Sequence, residues 1–194
     1  MGCSKIISLS QLTDLLDSFS AARWKEDGWV EELQTQAVDL EDLLPFVFFR
    51  EDSYGRTLVH RKKNYEILVV SWLPNQKTAI HDHSGQRCWM WVSSGKLTFR
   101  NYHRVDSKKE TPRLAGPEQV FSAGESTYID DSMGFHEILN TSGKPAISLH
   151  LYAKPISKCQ AYNPEKKKFE WLELACFNLP AVEDDLDPQE HGDA

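Results

Sequence analysis

The stretch Thr78-Ala79-Ile80-His81-Asp82-His83-Ser84-Gly85, answered much later by Gly134-Phe135-His136-Glu137-Ile138-Leu139-Asn140, decides how this chain is read. On a β-strand, residues i and i+2 point to the same face, so His81 and His83 can offer two imidazoles to one ion. A third imidazole, His136 from a distant strand, completes a face of three nitrogens and leaves the remaining coordination positions open. Open positions are what a catalytic metal needs and what a closed structural site lacks.

Outward from this stretch the pattern is one of short β-rich runs. Turn signals separate predicted strands at 57–62, 65–73, 78–83, 87–93, 96–102, 126–130, 135–140, 146–153 and 158–162. The Ser93-Ser94-Gly95 turn predicts a hairpin joining Cys88-Trp89-Met90-Trp91-Val92 to Lys96-Leu97-Thr98-Phe99. No helical segment lies between the runs, so an antiparallel sandwich or barrel fits better than an α/β sheet. The first part of the chain, about 1–50, reads as helical. Ser8 and Gln11 are spaced as a capping box, with Leu12, Leu15, Leu16 and Phe19 at helical intervals. A second helix carries Trp29, Val30 and Leu33, and a short third carries Leu40, Leu43 and Leu44 before Pro45. The expected organisation is one domain over 1–194, its barrel at about 54–178, with a disordered acidic tail at about 182–194.

Composition narrows the partners. The chain has 194 residues, 40% hydrophobic and 26% charged, as ordinary soluble proteins do. A net charge of −7 speaks against a nucleic-acid partner, and Lys166-Lys167-Lys168 reads as a solvated loop. Four cysteines without a C-x-x-C suit neither a disulfide framework nor a zinc ribbon, and point to a reducing compartment. No apolar stretch reaches about 18 residues, so no membrane span is expected. Ile6 stands where N-myristoylation wants Ser or Thr, and no secretory apolar region follows. A cytoplasmic monomer acting on small molecules is the expectation.

Gly95 lies twelve residues after His83, Asn140 lies four after His136, and Gly124 opens the second motif. Together these resemble the cupin signature H-x-H-x4-E-x6-G followed by G…H-x3-N. The resemblance implies an all-β core, a double-stranded β-helix (jelly-roll) barrel with a metal in its cavity, here with added N-terminal helices. One letter departs: Cys88 stands where that signature has its metal-binding glutamate. The ligand set then becomes three neutral histidines rather than a set including a carboxylate.

With Cys88 in that place the chain resembles the thiol dioxygenases, the cysteine dioxygenases in particular, over roughly residues 54–163. Ser148-Leu149-His150-Leu151-Tyr152 is similar to that family's Ser-Leu-His-Leu-Tyr segment. Period-2 geometry separately puts Ser148, His150 and Tyr152 on one strand face. The resemblance implies that His81, His83 and His136 ligate Fe(II), and that Tyr54 and Arg56 face a substrate carboxylate. A planar guanidinium suits that second task. It further implies that His150 holds the Tyr152 hydroxyl with Ser148 behind it, and that Cys88 and Tyr152 form a thioether crosslink. The implied substrates are L-cysteine and O2, and the implied product is cysteine sulfinate. Cys159 matches a cysteine near the family's cavity mouth, whereas Cys3 and Cys176 carry no functional signal. Ala153-Lys154-Pro155 replaces the family's Ser-Pro-Pro, so this turn is expected to differ. His60 and His103 are read as non-ligands. Two rivals stand beside this reading: a dioxygenase of 3-mercaptopropionate or a related thiol, and a non-catalytic metal-binding cupin. The first typically has glycine where Cys88 stands and lacks an arginine at the Arg56 place. Three imidazoles also suit Zn, Ni, Cu or Mn.

Overall fold

The computed structural model describes residues 5–20, 22–26, 28–34, 36–103 and 111–176; Cys3 and the acidic tail lie outside these. In chain order come β1 (Lys5–Ile7), α1 (Leu9–Asp17), α2 (Gly28–Gln34), β2 (Gln36–Val38) and α3 (Leu40–Leu43). Ten strands follow: β3 (Gly55–Arg61), β4 (Glu66–Trp72), β5 (Arg87–Ser94), β6 (Lys96–Tyr102) and β7 (Gln119–Ser122), then β8 (Ser126–Ile129), β9 (Phe135–Leu139), β10 (Ala146–Ala153), β11 (Lys158–Asn163) and β12 (Lys168–Glu173).

The α1 start is set locally. Ser8 Oγ accepts from the Gln11 amide at 3.1 Å, and Gln11 Oε1 accepts from the Ser8 amide at 2.9 Å. This is the predicted capping box, satisfying two amides that the first turn leaves unpaired. Leu12 and Leu16 of α1, with Trp29 and Leu33 of α2, are buried in one cluster with Val59, Ile67, Val69, Trp89, Trp91, Ile147, Leu149 and Leu151. These strand residues form one face of the antiparallel sheet β3-β4-β10-β5-β8. The helices therefore serve as a cover for the outer face of that sheet, which is why β4 is buried at every residue.

The other face looks inward. Arg56, Val70, Ser148 and Val92 stand in one row across β3, β4, β10 and β5, and Glu66, Tyr152, Cys88 and Ile129 in another across β4, β10, β5 and β8. Facing them is a second sheet, β7-β6-β9, which runs through His81 to β11-β12 because His81 bridges both His136 and Ala161. Two facing antiparallel sheets of this order are the jelly-roll barrel of the cupins.

Two expectations are corrected here. Ser93-Ser94-Gly95 is a corner rather than a hairpin: β5 pairs with β10 and β8, and β6 pairs with β7 and β9. Gly95 is required at this corner, with φ at +79° and an added Cβ falling 2.7 Å from the Pro145 carbonyl oxygen. The predicted strand at 78–83 is reduced to isolated bridges at Lys77 and His81. Strands β1, β2, β7 and β12 lie outside the predicted set, and β1 pairs with β2 in parallel.

Candidate metal centre and substrate cavity

His81 and His136 exchange both backbone hydrogen bonds, at 2.9 and 3.0 Å, which brings their side chains to the same side. His83 is not on a strand, and its place is built by two carboxylates. Asp131 Oδ1 accepts from the His83 amide at 2.8 Å and Oδ2 from the Gly85 amide at 2.5 Å. Asp82 Oδ1 accepts from the Gln160 amide at 2.8 Å and from the Ser84 amide at 3.3 Å. Ser84 takes φ of 53° and Gly85 φ of 80°, so the chain turns back immediately after His83. The result is a trio of rings with centroids 4.3, 4.7 and 5.5 Å apart. One nitrogen from each lies within 4.8 Å of the others.

Electrostatics keep these rings neutral. Burial pushes the pKa of His81 down, and burial plus mutual repulsion of the rings pushes His83 and His136 well below the usual histidine range. Neutral imidazole is the form that binds a metal. His81 Nδ1 lies 2.9 Å from the Ala79 carbonyl oxygen, to which it donates, leaving Nε2 as a lone-pair donor. His136 Nδ1 is buried without a hydrogen-bond partner. A buried nitrogen of that kind in a three-nitrogen donor set fits a metal ligand. Among the described residues no carboxylate joins this trio.

The trio lies in the wall of a cavity between the two sheets. Tyr54, Arg56, Cys88, His150 and Tyr152, all expected from the sequence, line it too, as does Cys159. Arg56 reaches it because Gly55 permits a close backbone crossing, an added Cβ there falling 1.8 Å from the Phe48 carbonyl oxygen. The guanidinium lies 5.9 Å over the Tyr152 ring, and its Nη2 is buried without a partner. Cys88 and Tyr152 are directly opposite on β5 and β10, so their side chains leave the same face as neighbours. Burial raises the Cys88 thiol to about 12 and the Tyr152 phenol well above its usual range, so both hold their protons at neutral pH.

Residues 4–165 match the family model described as cysteine dioxygenase type I. The chain belongs to this family. It is 31% identical to human cysteine dioxygenase type 1 over 82% of each chain. It is 25% identical to the zebrafish (Danio rerio) protein of that name, over 82% of this chain and 83% of that one. Membership agrees with the cupin barrel and the open three-histidine set.

His150 Nε2 is hydrogen-bonded to Ser148 Oγ at 2.9 Å, while the Tyr152 ring lies nearly parallel to it at 6.2 Å. Ser148 Oγ also accepts from Trp72 Nε1 at 2.9 Å, so one hydroxyl joins the indole to the imidazole. Burial, with Arg56 and His81 nearby, holds His150 down to about 3. The ring is therefore neutral at neutral pH. No cis peptide occurs among the described residues, the Ala153-Lys154 turn included. His103 is exposed, and His60 lies on β3 against Tyr65, with rings 5.6 Å apart. Asn140 is a structural residue, its side-chain amide donating to the Trp72 and Lys144 carbonyls at 3.3 and 2.7 Å. Trp72, Asp131 and Cys176 are site neighbours that sequence reading missed. An acidic residue just before the second motif was the available signal for Asp131; Cys176 had none.

Proposed function

We propose that this protein is a non-haem Fe(II) thiol dioxygenase that converts free L-cysteine and O2 to cysteine sulfinate. The observation that carries the proposal is the pairing, across one cavity, of three neutral histidines with a buried guanidinium whose Nη2 is unpartnered. His81, His83 and His136 would hold the iron, which supplies the redox chemistry joining O2 to a thiolate. Both oxygen atoms end on sulfur: the thiol loses four electrons and O2 takes them.

The chain's own residues hold and orient the substrate. Arg56 binds the carboxylate through a charge-assisted hydrogen bond and leaves the thiol end toward the histidines. Tyr54, stacked on Trp72 at 4.8 Å, forms the wall beside the carboxylate. Tyr152 stays protonated and donates its hydroxyl hydrogen into the cavity. The Trp72–Ser148–His150 relay fixes the neutral His150 ring. A thioether between Cys88 Sγ and a Tyr152 ring carbon would form with loss of two hydrogens, O2 accepting the two electrons, and would fix the phenol. The three described cysteines are free thiols, in keeping with a cytoplasmic setting. No described helix is long and apolar enough to cross a membrane.

The test is anaerobic reconstitution with Fe(II), then oxygen uptake with L-cysteine, 3-mercaptopropionate and cysteamine. Efficient uptake with L-cysteine, yielding one sulfinate per O2, is expected. Preference for 3-mercaptopropionate would replace the substrate, and no uptake with any thiol would leave a metal-binding cupin.

A further inference from the structure

The guanidinium of Arg56 meets a part of the chain that no motif announces. Immediately after β12, Leu174 donates its amide to the Ser157 carbonyl at 2.8 Å, and its side chain lines the cavity. The next residues lie against the arginine. Arg56 Nη1 donates to the Ala175 carbonyl oxygen at 3.4 Å and to Cys176 Sγ at 3.6 Å. Nη2 of the same group, in a residue only 7% exposed, is without a partner.

We propose that Leu174-Ala175-Cys176 is a specificity strap that engages Nη1 and so presents Nη2 as the donor offered to a substrate carboxylate. The inference rests on the reading of Arg56 as the carboxylate-binding group. A long side chain loses entropy when it is ordered, and a strap that orders it beforehand removes that cost from binding. The acceptors matter as much as the contact. A carbonyl and a thiol are neutral, so they orient the guanidinium while its full positive charge remains for the substrate. Burial raises the Cys176 thiol above its ordinary range, which keeps it neutral. A carboxylate in the same place would satisfy and neutralise the arginine itself. The strap acts through Arg56, and its residues are positioning residues.

The experiment compares full-length, iron-loaded Cys176→Asp, Cys176→Ala and Arg56→Ala proteins with the parent. Steady-state kinetics and anaerobic calorimetric binding are measured for L-cysteine, 3-mercaptopropionate and cysteamine, which lacks a carboxylate. Iron content is determined for each protein. Cys176→Asp is expected to raise Kd and KM for both carboxylate thiols about tenfold or more, because an internal ion pair competes with the substrate. Its kcat, iron content and cysteamine KM should stay within about threefold of the parent. Cys176→Ala, which removes one of the two Nη1 acceptors and keeps the Ala175 carbonyl, should raise the Kd for L-cysteine, but by less than Cys176→Asp does. The strap is overturned if Arg56→Ala selectively weakens the carboxylate thiols while Cys176→Asp does not. It is equally overturned if Cys176→Asp weakens cysteamine as much as L-cysteine. If Arg56→Ala weakens all three thiols alike, the reading of Arg56 fails and the inference fails with it.

Discussion

Replacing Ser148 by alanine tests the relay behind the cavity wall. Ser148 is fully buried, and one hydroxyl satisfies both Trp72 Nε1 and His150 Nε2, each at 2.9 Å. The substitution removes a single oxygen and leaves an indole N–H and an imidazole nitrogen facing an alanine methyl. An orphaned buried polar group costs about 1–3 kcal/mol. Trp72 and His150 both line the cavity and are buried. Two such groups together cost about 2–6 kcal/mol. Urea unfolding of metal-free protein should show a lower midpoint with an unchanged m value. Trp72→Phe removes the donor at one end, so the double variant should lose less than the sum of the singles, by about 1 kcal/mol. Ser148→Ala within about 0.5 kcal/mol of the parent, with additive behaviour in the double variant, would refute the relay.

Three further outcomes are expected. His136→Ala should lose stoichiometric Fe(II) while its far-UV circular dichroism stays that of the parent; iron retained at one per chain would remove the three-histidine site. Acidification should destabilise the metal-free protein, because His150 has its folded pKa pushed from 6.5 to about 3 and the unfolded chain therefore binds the proton first. Stability is full above pH 6.5 and falls toward pH 3, by about 5 kcal/mol from His150 alone, with buried His83 and His136 acting in the same direction. Urea midpoints that stay flat across that window contradict this. Turnover should lower the protein mass by two hydrogens and yield linked Cys88–Tyr152 peptides, whereas Cys88→Ser should keep its iron and part of its activity. Only free Cys88 and unmodified Tyr152 peptides after prolonged turnover would exclude the crosslink.

What was legible in the sequence was what short-range chemistry dictates. The capping box at Ser8 and Gln11 involves residues three apart, and it forms as read. The Ser148, His150 and Tyr152 stripe follows from strand periodicity, and all three are buried on the inward face. The corner at Gly95 misled because a turn signal reports a change of direction, while partner choice lies with distant β10 and β9. β12 was missed because its residues are exposed or half-buried and show no clean alternation. The link from Ser148 to Trp72 was not legible, because that indole is contributed by another strand. Cys176 lies far along the chain from Arg56 and belongs to no motif, so only the folded chain brings them together.

His81 is both a ligand candidate and the residue through which β9 is joined to β11. Those pairings are among the most non-local in the molecule, and contacts of that kind carry the largest loop-closure cost and form slowly. The backbone of His81 thus joins two strands of the barrel while its side chain joins the three-nitrogen set, so the seam and the candidate ligand set are assembled by one residue.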